Sequence, residues 1–314
     1  MPSPSSTGAA APLGQLWHWF NRQAPLLLIV TTLIWGCNAV AARLAVGEIS
    51  PMMLTTARWV ICCIALWFGA RREIATHWRS LLPHWRYLTL MGTAGFTGFN
   101  ALFYTAAHYT TAVNIAIIQG TIPVLVLGGG FLFAGTRATP LQMLGVVITL
   151  AGIGVVASRG DLGVLLGLGF NIGDVWILIA SLLYAGYMLG LRKRPPVPPI
   201  VFFAAVAAVA SVASLPLLAV EVARGQFFLP TAMGWAIMLF VGLLPSFVSQ
   251  ITFIQAVALI GPARAGVYLN LTPIFGPLLA VLVLSEPLSL YHAVALALVL
   301  GGIWIAEHLG QRKP

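Results

Sequence analysis

Gln119-Gly120-Thr121-Ile122-Pro123 and Leu269-Asn270-Leu271-Thr272-Pro273 are two proline-bearing apolar stretches that stand 150 positions apart. The same shift pairs Trp85 with Trp235, Gly92 with Gly242, Phe103 with Phe253 and Ala106 with Ala256. It also pairs Leu132 with Leu282, Leu150 with Leu300, Gly152 with Gly302 and Ile153 with Ile303. Asn100 meets Gln250, a like-for-like amide match. The alignment needs no gap from residue 85 to residue 153. The chain is therefore two homologous halves, each with a proline at the centre of its fourth apolar segment.

The 314 residues are 60% hydrophobic and only 7% charged, against about 25% charged in soluble domains. The mean hydropathy is +0.96. These values describe an integral membrane protein. Charge-free runs mark the spans: residues 23–42, 87–136, 138–158, 195–220, 225–263 and 265–285. A crossing takes roughly 20 apolar residues, so the run from Tyr87 holds two. Ten helices are expected, near 24–45, 51–70, 86–107, 112–134, 139–157, 171–191, 198–221, 231–257, 263–284 and 288–307. Ser50-Pro51, Thr139-Pro140 and Pro198-Pro199 mark helix starts, because proline suits a first turn. Residues 1–23 and 308–314 read as cytoplasmic tails, the first of them disordered, and 158–170 as an outer linker. The repeats then occupy 24–157 and 171–307.

The net charge of +9 is not a nucleic-acid signal, because the basic residues sit in short loops. Ten helices put both termini on one side. With the termini inside, the inner loops and ends carry Arg22, Arg71, Arg72, Arg79, Arg86, Arg137, Arg192, Lys193, Arg194, Arg264, Arg312 and Lys313. The outer set is Arg43, Arg159 and Arg224. That bias makes the termini cytoplasmic. Each repeat holds five helices, an odd number, so the second enters the membrane upside down. Inverted repeats are a transporter architecture with the site near the midplane. The first helices correspond less cleanly, Leu33-Ile34-Trp35 with Leu182-Leu183-Tyr184 at a shift of 149.

Proline removes a backbone donor and clashes with the preceding turn. Pro123 and Pro273 are expected to kink their helices and free the carbonyls of Gln119 and Leu269. Either the pair act as hinges beside a cavity, or the kinks are static and tolerated by packing. Amides and rings gather at matching depth: Trp35 and Asn38, then Asn100 and Tyr104, then Asn114 and Gln119. The second half adds Trp176, Tyr184 and Tyr187, then Gln250, then Tyr268 and Asn270. An amide facing lipid costs several kcal/mol, so these should face inward as substrate-binding residues. The competing readings are helix-to-helix bonding for amides and an interfacial belt for rings.

Arg58 is the one full charge well inside a span. Its burial costs about 2.5–3.5 kcal/mol on insertion scales. It either holds a substrate carboxylate or bonds the carbonyls of a kinked neighbour. The carboxylates fall at or near helix ends, which leaves no mid-depth relay for protons or sodium. Facilitated movement without strong ion coupling is the simpler expectation. The three cysteines and scattered histidines give no disulfide framework, metal spacing or catalytic cluster, so no metal or cofactor is expected and no enzyme.

Ile34-Trp35-Gly36, Ser285-Glu286-Pro287-Leu288-Ser289 and the two five-helix repeats resemble the drug/metabolite transporter superfamily, EamA family, over roughly residues 24–307. Within it the chain looks most like amino-acid exporters of the YddG type. The family's Gly-Glu turn is kept at Glu286 but reads Gly135-Thr136-Arg137 in the first half. The resemblance implies a basket-like bundle of ten transmembrane helices. It also implies alternating-access efflux of neutral or aromatic amino acids, or related metabolites, across a bacterial inner membrane. The partners would be the lipid bilayer and a small molecule, with no nucleic acid and no required oligomer. A phosphorylated-metabolite or nucleotide-sugar carrier would want several intramembrane cations. A membrane transferase would want acidic or histidine clusters at one face.

Overall fold

The computed structural model describes residues 22–134, 139–161, 171–260, 265 and 268–306. The N-terminal tail before residue 22, most of the outer linker, the turn at Gly135, the Gly261-Pro262 connection and the C-terminal tail lie outside these. Every regular segment among the described residues is helical. In order the α-helices are α1 (Ala24–Leu44), α2 (Pro51–His77), α3 (Trp85–Leu90), α4 (Phe99–Ala106), α5 (Ala112–Gln119), α6 (Ile122–Ala134) and α7 (Pro140–Ala157). The second half supplies α8 (Ile172–Gly190), α9 (Pro199–Ala223), α10 (Ala232–Leu243), α11 (Ser249–Ile260), α12 (Thr272–Leu284) and α13 (Leu290–Trp304).

Among the described residues, seven helical runs are long and apolar enough to cross a membrane, and α12 and α13 are shorter apolar helices. One run, Pro51–Ala106, spans 56 residues. At 1.5 Å per residue it far exceeds a bilayer core about 30 Å thick. It doubles back: Arg58 near its start bonds Tyr104 near its end, 46 positions later. The reversal is the 3-10 helix Trp78–His84, which contains Pro83. α2 runs to His77 rather than stopping near residue 70, so Arg71, Arg72 and Glu73 ride on its exposed last turns.

Pro51, Pro140 and Pro199 each occupy a first turn, as their sequence context predicts. The central prolines behave differently from the expected mid-helix kink. The helix breaks at Gly120-Thr121, and α6 restarts at Ile122 with Pro123 in its first turn. The same happens at Asn270-Leu271, where α12 restarts at Thr272 with Pro273 next. A first turn has no use for the missing N–H, so restarting strains the chain less than bending through the proline.

The halves share a second irregularity, which the residue pattern does not announce. Residues Met91–Gly98 and Leu244–Val248 are π-helical. At the 150-residue shift the second matches the last five residues of the first. Each extra residue re-aims the helical turn after it, and that turn carries Asn100 in one half and Gln250 in the other.

Lipid tails are as apolar as leucine, so helices here associate by close packing of small residues. α7 and α13 meet this way, where a methyl group on Gly152 would lie 2.9 Å from Val299. The two breaks also touch: a methyl on Gly120 would lie 2.7 Å from the Cβ of Pro273. Gly276, one turn on, sits against the Cβ of Ala116.

Candidate functional site

A cavity lies where the two halves face each other. It holds about 980 Å³ of space free of protein atoms, its open mouth included. Five pairs related by the 150-residue shift line it together: Gly95 and Pro245, Asn100 and Gln250, Gln119 and Leu269, Ile122 and Thr272, and Pro123 and Pro273. The helix breaks and the π-helices thus converge on one space. Pro123 and Pro273 offer no N–H to the carbonyls of Gln119 and Leu269, and both of those residues line the cavity.

Arg58 forms the polar centre. It is 4% exposed yet lines the cavity. Its Nε donates to Ser246 Oγ at 2.9 Å. One Nη1 donates to Asn100 Oδ1 and to the Tyr104 hydroxyl. The Tyr104 hydroxyl in turn donates to Asn38 Oδ1 at 3.1 Å. Asn100 Nδ2 is fixed by the Phe96 carbonyl at 2.7 Å and Ser246 Oγ by the Val241 carbonyl at 2.8 Å. The guanidinium also lies over the Trp59 ring, 5.1 Å from its centroid. Its partners are neutral side chains, neither carbonyls of a kinked helix nor, among the described residues, any carboxylate.

Rings complete the wall. Trp59 stacks on Phe96 at 4.4 Å and 5°. Phe99 meets Tyr184 at 5.1 Å, and Trp35 meets Phe253 at 5.7 Å. The Trp35 indole is held by a 2.8 Å donation to Ser249 Oγ across the halves.

Of the residues expected at the site, Trp35, Asn38, Arg58, Asn100, Gln119, Tyr184, Gln250, Pro123 and Pro273 line this one cavity. Tyr104 stands one bond behind Arg58, and Tyr187 packs behind Phe96 at 5.0 Å. Asn270 is in the turn just before Thr272. Tyr268 packs against the cluster of Ala24, Leu27 and Leu28. Trp176 and Asn114 lie elsewhere, at the end of the bundle formed by residues 44–50, 107–111 and 285–289. There Trp176 meets Tyr109 edge-on at 5.0 Å and Asn114 bonds His292 and Asp174. Depth misplaced them: Asn114 is only three residues into α5, Trp176 five into α8.

Trp59, Phe96, Phe99, Met188 and Thr272 also line the cavity, beyond the residues expected there. Phe96 was findable, since it lies one turn before Asn100. Trp59 neighbours Arg58 and carries no periodic signal of its own.

The far end is cross-linked by polar contacts. Both Glu286 oxygens accept from the Ala112 and Val113 N–H groups at 3.0 Å, capping α5. Glu221 does the same for α2 through Met52 N, Met53 N and Ser50 Oγ. Arg43 donates to the Ala107 carbonyl at 2.7 Å. Burial, and then the Arg43 charge, hold the His108 imidazole below its ordinary range despite Glu221.

The EamA-like transporter family profile matches residues 22–158 and again 171–306, so the two halves seen at the 150-residue shift are two copies of one family unit. An uncharacterized transporter of Archaeoglobus fulgidus is 25% identical over 289 residues, covering 91% of this chain and 97% of that protein. The uncharacterized inner membrane transporter YedA of Escherichia coli is 25% identical over 304 residues, covering 94% and 95%. A solved crystal structure superposes with a TM-score of 0.64 at 22% identity over 92% of this chain and 99% of that one, a likeness of fold. With its duplicated unit, its membrane-spanning helices and the cavity between the halves, the chain belongs to the EamA-like transporter family.

Proposed function

We propose that this multi-pass membrane transporter is an alternating-access exporter of neutral and aromatic amino acids, or close metabolites, in a bacterial inner membrane. The observation that carries the reading is Arg58, a cation with no acid among its bonded partners, on the wall of a ring-lined cavity. A guanidinium recognises a carboxylate through its fork of donors. Trp35, Trp59, Phe99, Tyr184 and Phe253 would receive an apolar or aromatic side chain. The carbonyls of Gln119 and Leu269, together with Gln250, would receive the ammonium.

In this reading the chain crosses ten times as two inverted five-helix repeats, 24–157 and 171–307, arranged as a basket with both termini cytoplasmic. The breaks before Pro123 and Pro273 are its hinges. Discontinuous helices beside a midplane site are how such transporters rock between states. Among the described residues no carboxylate lines the cavity to ligate a co-transported cation, which favours movement down the substrate gradient. A phosphorylated-metabolite or nucleotide-sugar carrier would need more cations than Arg58.

The test is uptake of labelled phenylalanine into liposomes carrying the purified protein, with the other amino acids as competitors. Neutral and aromatic amino acids should compete, and sugar phosphates and nucleotide sugars should not. Absence of uptake for every neutral and aromatic amino acid sinks the proposal. Conversion of substrate to a new species would reveal a transferase instead.

A further inference from the structure

Among the described residues, polar bonds between the halves away from the cavity crowd one end of the bundle, and one buried acid there is half satisfied. Asp174, in the first turn of α8, is 4% exposed. Its Oδ1 accepts from Thr110 Oγ1 at 2.5 Å and from Asn114 Nδ2 at 3.3 Å. Its Oδ2 is buried with no partner among the described residues. Both donors come from the first half, while Asp174 belongs to the second.

The amide that serves it is held in place. Ser289 N donates to His292 Nδ1 at 3.0 Å, which leaves the imidazole hydrogen on Nε2. That nitrogen is 3.2 Å from Asn114 Oδ1, so the Asn114 amino group must face Asp174. Room is tight: a methyl on the neighbouring Gly173 would lie 2.9 Å from the Ala106 carbonyl and 3.0 Å from Thr110 N.

We propose that Asp174 is a proton-binding site, and that the bound proton holds this end of the transporter closed. A buried carboxylate with one oxygen left bare is far costlier than a buried neutral acid. The neutral acid carries its proton on Oδ2 and still accepts both donors on Oδ1. When the end parts, water reaches Oδ2, the charged form is no longer penalised and the proton leaves to solvent. The closed state therefore binds one proton more than the open one. Acid favours closure, and alkali favours opening by up to about tenfold per pH unit.

Arg159, just beyond the end of α7, is the cation that acts on Asp174 through space. Tyr291 of α13 feels Asp174, Glu286 and Arg159. Glu286 is occupied by the α5 cap, and His292 reaches Asp174 only through Asn114. Tyr109 packs on Trp176, and His108 answers to Arg43 and Glu221.

The device is one-sided although the fold is duplicated. The 150-residue shift turns Thr110 into Ile260 and His292 into Gln142, and the 149-residue shift of the first helices turns Asp174 into Pro25. Proton control thus acts at one gate, which the proposed orientation makes the outer one. It sets a rate, not a direction, and so goes beyond the facilitated reading without needing it.

The test uses spin labels at His108→Cys and Leu290→Cys, in full-length protein with Cys37, Cys62 and Cys63 replaced, reconstituted without substrate. Pulsed distance measurements between pH 5 and pH 8 should show a longer separation growing with pH. Asp174→Asn, which resembles the neutral acid, should hold the short separation throughout. His292→Gln should keep a pH response. A separation indifferent to pH overturns the proposal, as does a longer separation growing toward acid or a response that survives in Asp174→Asn. None of these outcomes depends on which solute is carried.

Discussion

In the proposed function, Arg58 is where one side chain decides recognition. Its Nε and Nη1 donors are committed to Ser246, Asn100 and Tyr104, and no protein acceptor for Nη2 occurs among the described residues. Arg58→Lys keeps a charge but loses the fork. A hydrogen bond to a charged group is worth about 1.5–3 kcal/mol, so the KM for phenylalanine uptake should rise by roughly tenfold or more. Arg58→Ala should also loosen Asn100 and Tyr104 and take uptake to background. Initial rates against substrate concentration measure both, and an unchanged KM in the lysine variant removes the carboxylate from this site. The sequence made Arg58 conspicuous as a charge within a span. It could not show the partners, because they come from 42, 46 and 188 positions away. Asn114 illustrates the opposite error. Its amide does turn inward, but toward a polar end rather than the cavity, and no periodicity reports depth along a helix axis.

Among the elements, the breaks and π-helices do the positioning. A proline in a sequence says that a donor is missing. Whether the helix bends through it or stops and restarts depends on its neighbours, here Gly120-Thr121 and Asn270-Leu271. The π-helices were less legible still, because an extra residue in a turn has no composition of its own. Within the first of them, a methyl on Gly95 would meet the Tyr187 ring. Pro245→Ala returns an N–H to the second π-helix and favours ordinary α geometry. Losing the extra residue would rotate Gln250 by roughly 100° about its axis. Uptake should then be lost with the protein still folded by circular dichroism, and wild-type uptake would detach Gln250 from the site. At the first break, Gly120→Ala places a methyl against Pro273. Overpacking of this kind costs about 1–3 kcal/mol, which should appear as a lower melting temperature in detergent.

For the whole molecule, the duplicated architecture was readable at once, because residues 85–153 align with 235–303 without a gap and the halves share glycines, aromatics and prolines. Helix starts were readable for the same local reason, proline and threonine at first turns. Orientation rests on the arginine and lysine bias between loops. An alkaline phosphatase or fluorescent protein joined to the C-terminus should be inactive and fluorescent respectively, as fits a cytoplasmic end. The reverse pattern would turn the molecule over and move Asp174 to the inner gate. Duplication also sharpens what is not duplicated. A cavity built from matched pairs is flanked by a polar end whose residues have apolar or unrelated counterparts.

The contact between Gly120 and Pro273 ties the fate of two distant codons. A methyl gained at the first is tolerable only if the second gives up its ring. Double substitution should therefore be milder than the sum of the single ones, and descendants that keep one of these residues should keep the other.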